Sequence, residues 1–134
     1  MNTLTNQSQI QDFKTRIKEI NHNLNENKKL IDKCQTILND KKGNYPLGKS
    51  SIRLILNDCK KKRTQWVNES EDLGYFISVS ERIQYYQRLK TENYRTFNEG
   101  RIDKTELETY IKHLNYKILR LEDKLESIIE GLRI

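Results

Sequence analysis

The sequence predicts an all-α protein made of two antiparallel helical hairpins, four helices in all. A single Pro and five Gly among 134 residues leave few places where a helix must stop. Apolar residues recur at alternating steps of three and four, the spacing of a helix seam and not of a strand. The near-equal shares of hydrophobic (34 %) and charged (33 %) residues suit long helices with a narrow apolar stripe. At this length one domain, residues 1–134, is expected.

The first helix is expected over about residues 8–41, where Ile10, Phe13, Ile17, Ile20, Leu24, Asn27, Ile31, Cys34 and Leu38 step without a slip. Asn27 is the one polar residue on that stripe. A seam Asn can fix register or partner number, and the plainer expectation is an Asn turned toward a polar neighbour. The second helix, about 51–73, is expected to be capped by Ser50 or Ser51, to carry Ile52, Leu56, Cys59, Arg63, Trp66, Ser70 and Leu73, and to end at Gly74. Ser78-Val79-Ser80-Glu81 has capping-box form and is expected to open a third helix, about 79–99, with Val79, Ile83, Tyr86, Lys90, Tyr94 and Phe97 on one face. Gly100 ends it. Asp103 with Glu106 opens the fourth, about 103–132, along Leu107, Tyr110, Leu114, Ile118, Leu121, Leu125, Ile128 and Leu132.

Short connections fold consecutive helices back on each other, giving hairpins over 8–73 and 78–134 that form a bundle or an elongated coiled-coil-like assembly. Antiparallel partners have residue numbers with a constant sum. A sum near 93 sets Leu38 by Ile55, Cys34 by Cys59, Asn27 by Trp66 and Ile20 by Leu73. A sum of 204 sets Phe97 by Leu107, Tyr94 by Tyr110, Tyr86 by Ile118, Ile83 by Leu121 and Val79 by Leu125. Cys34 and Cys59 are then small buried hydrophobes inside the first hairpin. The apolar side chains at the helix ends, Ile10, Phe13, Ile17, Ile128, Ile129 and Leu132, run past their hairpin partners and must cover each other or meet another chain.

Two motifs carry chemistry elsewhere. Gly43, Gly48, Lys49 and Ser50 fit the phosphate-loop spacing, but that loop needs a buried parallel strand before it, and here a heptad helix precedes it. Residues 95–106 resemble the second half of a calcium loop, yet Arg95 and Phe97 stand where oxygen ligands are required. His22 and His113 are isolated, with no Cys, Ser or paired acid at an activating spacing. No catalysis, cofactor, metal or small-molecule substrate is expected.

Charge is concentrated. The net charge is +6; residues 41–66 carry +7, residues 1–40 carry +1, and 67–102 and 103–134 carry −1 each. Lys41, Lys42, Lys49, Arg53, Lys60, Lys61, Lys62 and Arg63 are the candidate contacts to an acidic partner or to phosphates. The aromatic residues Tyr75, Phe76, Tyr85, Tyr86, Tyr94 and Phe97 mostly fall at core spacing and are not expected to form a stacking platform. No signal peptide or membrane span is read, so a cytoplasmic location is expected. The function expected is that of a non-enzymatic helical interaction or adaptor protein, self-associating or docking a protein partner through its helix ends and basic turn. The alternative is nucleic-acid binding by the 41–63 basic patch.

Overall fold

A computed structural model describes residues 3–40 and 48–132, with side chains from residue 7 onward. The expected turn around Gly43 and Pro46, with Lys41 and Lys42, lies outside the described residues. Among the described residues the fold is all-α: α1 (Thr3–Asn39), α2 (Gly48–Asn98) and α3 (Lys104–Leu132), with no strand.

The expectation of four helices is corrected to three, because the second and third are one continuous helix of 51 residues. Gly74 does not adopt the left-handed conformation that ends a helix, unlike Gly48 (φ 69°) and Gly100 (φ 78°). A lone helical Gly costs only about 1 kcal/mol relative to Ala. Against that stands the burial of Leu73, Phe76, Val79 and Ile83, a stripe that crosses Gly74 in phase. Each fully buried side chain of this size contributes about 1.5–3 kcal/mol. The Ser78–Glu81 capping pattern therefore sits in a helix interior. Its Ser80 is 2 % exposed, and among the described residues Ser80 Oγ and Gln84 Nε2 are buried without a hydrogen-bond partner.

The chain divides into two compact units. One is the first hairpin, residues 12–73. Its core is Ile31, Cys34, Ile52, Leu56 and Cys59, with Ile37, Leu38 and Ile55 packed against it. The buried Asn27 donates from Nδ2 to the Cys59 carbonyl at 3.0 Å. Arg16 grips Glu69 with a two-pronged bond, Nε to Oε1 at 2.8 Å and Nη2 to Oε2 at 3.2 Å. These pairs, 16 with 69 and 27 with 59, have numbers adding to 85 and 86, one heptad below the expected 93. The hairpin register is corrected accordingly. The helix ends agree with it: α1 stops at Asn39 and α2 starts at Gly48, with Ser50 and Ser51 inside its first turn. Cys59 thus stands across from Asn27, and Cys34 across from Ile52. The two thiols are free, share one cluster and are offset by seven residues, about 10 Å of helix.

The other unit joins the start of α1, through Gln11, to everything from Gly74 onward. Its buried side chains include Ile10, Phe76, Val79, Ile83, Leu107, Leu114, Ile118, Leu121 and Leu125. Here the expected register holds: the Lys117 ammonium lies 5.3 Å from the Tyr86 ring centroid, and Phe97 and Leu107 line one groove. The turn is spelled by its residues. Gly100, in the left-handed conformation, donates to the Phe97 carbonyl (2.9 Å) and Arg101 to the Thr96 carbonyl (3.1 Å), which closes α2 with a Schellman motif. The Asp103 carboxylate then accepts from the Glu106 N–H at 2.8 Å and caps α3. Near this turn Ile111 takes the half-buried position, and Tyr94 and Tyr110 are exposed instead of paired in the seam.

Candidate interaction groove

The shifted register of the first hairpin builds an apolar groove. With α1 and α2 set at a sum near 86, Leu30 comes across from Leu54 and Ile55, and Asn23 and Asn27 share a cleft with Trp66. The groove has a volume of about 560 Å³. Leu54 is 70 % exposed and Leu30 43 %, although the hairpin's own seam is already filled by the five-residue core beside them. The rim carries both signs: Asp58 pairs with Lys62 at 3.1 Å one helical turn on, and Glu26 with Lys29 at 3.2 Å. These pairs are solvent-exposed and each contributes about 0–1 kcal/mol, so they are easily exchanged for another partner.

The residues singled out by charge do not all gather in one place. Lys49, Arg53, Lys60, Lys61, Lys62 and Arg63 are all exposed on α2. At 3.6 residues per turn Lys49, Arg53 and Lys60 share a flank, whereas Lys61 points away from the core. Lys62 lies on the rim of the apolar groove, and Arg63 lines a separate groove with Asp32 and Gln35. Of the helix-end apolar residues, Ile10 is buried in its unit, and Phe13, Ile17, Ile128, Ile129 and Leu132 are half-buried.

Both thiols are free and buried. Burial, followed by the nearness of Cys34 and Asp58, pushes the Cys59 thiol up, the reverse of what a reactive cysteine needs. His22 and His113 are exposed, in different units. Among the described residues no group of three His, Cys, Asp or Glu side chains could hold a metal ion, and no helix is long and apolar enough to cross a membrane.

Sequence reasoning missed a second constellation. Of the aromatic residues read as mostly at core spacing, Phe76 is fully buried, but Tyr75 and Tyr85 are each 51 % exposed. Tyr85 and Tyr86 form a tilted pair with centroids 5.7 Å apart. Tyr86 turns toward α3, where Lys117 meets it, and Arg120 covers Tyr116 at 5.7 Å. The signal was present in the sum of 204 for this hairpin, which sets residues 82 and 86 across from 122 and 118, next to Lys117 and Leu121. No family model matches the chain, and no match to a curated protein or a solved structure is found.

Proposed function

We propose that the protein is a non-enzymatic helical interaction protein that self-associates through the apolar groove of its first hairpin. The observation that carries this is the exposure of Leu54 and Leu30 beside Ile55 and Trp66 along one groove of the first hairpin. A contiguous apolar patch rimmed by polar groups is the signature of a protein contact, and a groove between two helices fits the apolar face of a third. The mixed rim favours a second copy as the occupant. A two-fold axis can bring Lys62 of each protomer to Glu26 or Asp58 of its partner, so the same patch serves both sides. The buried, unreactive thiols and isolated histidines support the non-enzymatic part of the proposal.

Light scattering over roughly a hundredfold range of concentration tests it, since association must follow mass action. A rise from monomer to dimer mass is expected, with Leu54→Glu holding the protein monomeric and its helicity unchanged. A monomer at every concentration, or a dimer indifferent to Leu54→Glu, would overturn it.

A further inference from the structure

The other unit carries a groove of a different chemistry. Between α2 and α3, in a volume of about 240 Å³, lie three cationic side chains, Arg82, Lys117 and Arg120, together with His113, Tyr86 and Tyr116. No carboxylate lines it. Of the cations outside it, Arg16 is held by Glu69 and Glu19, Lys29 by Glu26, Lys62 by Asp58 and Arg101 by Glu99. Among the described residues, Arg82, Lys117 and Arg120 have no such partner. Lys117 and Arg120 rest instead on aromatic rings, and Arg120 Nη1 also donates to the Tyr116 hydroxyl at 3.4 Å. A cation held over a ring keeps its full charge available while the side chain stays in place, which lowers the ordering cost of meeting an anion.

We propose that this groove binds a short single-stranded segment of nucleic acid. His113, Lys117 and Arg120 follow one another at helical spacing along one flank of α3 and span about 10 Å, room for about three nucleotides at 3.4 Å per stacked step. The unpaired cations meet phosphates. Tyr116, 59 % exposed, offers a ring face to a base, and Tyr85 lies exposed beside Tyr86 at the groove's edge. Charge with exposed rings separates the occupants: a duplex hides the faces of its bases, and a phosphorylated peptide presents charge without flat rings, whereas a single strand presents both. This surface is independent of the dimer groove and of the 41–63 basic residues, and it uses residues that sequence charge counting passes over because 67–134 is net acidic.

The test is fluorescence anisotropy of the full chain with labelled twelve-residue oligouridine, oligothymidine and a duplex of equal length. Binding of one or both single strands is expected, at least about tenfold tighter than the duplex. With three phosphates neutralised, affinity falls about 20-fold between 50 and 200 mM salt. Tyr116→Ala weakens binding about tenfold and Tyr116→Phe leaves it unchanged, because the ring and not the hydroxyl carries the stacking. Lys117→Glu with Arg120→Glu abolishes it, and Lys117→Gln with Arg120→Gln weakens it in the same order if the charge reversal disturbs helicity. The proposal is overturned by no binding at 50 mM salt, by equal binding of duplex and single strand, or by loss on reversing Lys49, Arg53 and Lys60 with none on reversing Lys117 and Arg120. A phosphopeptide or an anionic vesicle that binds where the single strands do not would also overturn it.

Discussion

The two hairpins are built from the same heptad material; one register is fixed at its turn, and the other is marked by two polar contacts. In the second hairpin Gly100 and Asp103 fix both helix ends to the residue, through the Schellman bonds and the cap, so the seams can meet in only one way. The turn of the first hairpin lies outside the described residues, and a heptad seam can also meet its partner after a slip of seven residues. What marks the observed register is Asn27, whose side chain donates to the Cys59 carbonyl, and the Arg16–Glu69 pair. An apolar stripe says that two helices meet, and discrete polar contacts say where. The register also shapes the surface, since it sets Leu30 across from Leu54 and Ile55 in the apolar groove.

Substitutions at the punctuation should sharpen this contrast. The largest effect is expected at Gly100, where a side chain in the left-handed region costs about 1–2 kcal/mol, so Gly100→Ala should lower the denaturation midpoint. At Asn27 the contrast is of another kind. Asn27→Ala should cost about 1 kcal/mol for the lost bond. Asn27→Leu should cost less or even stabilise, but it should populate both registers, visible as doubled amide resonances confined to residues 12–73. A single set of peaks for Asn27→Leu would show that the register does not rest on this residue. The smallest effect is a gain: Gly74 is helical with open space at its Cβ, so Gly74→Ala should stabilise by about 0.5–1 kcal/mol. If Gly74 ended a helix, the same change would destabilise, as at Gly100.

The helical class, the α3 cap, the second register and the burial of the two cysteines were legible because each rests on local chemistry or on a long unbroken stripe. Gly74 misled because Gly followed by a capping-box pattern looks the same in a helix end and in a helix interior. The phase of Leu73, Phe76, Val79 and Ile83 across it was the better guide. The first register was lost to small errors at two helix ends, two residues at α1 and three at α2, which add up to most of one heptad. The basic–aromatic groove was missed because its members lie on two helices, and net charge by segment averages Arg82, Lys117 and Arg120 against acids on other faces.

The register of the first hairpin is the claim on which the groove depends, and nuclear Overhauser contacts in the unmodified protein measure it most directly. Contacts from the Asn27 side-chain amide to Cys59, together with contacts from Cys34 to Ile52, are the predicted result. Contacts joining the β-protons of Cys34 to those of Cys59 would place the helices one heptad away and contradict it.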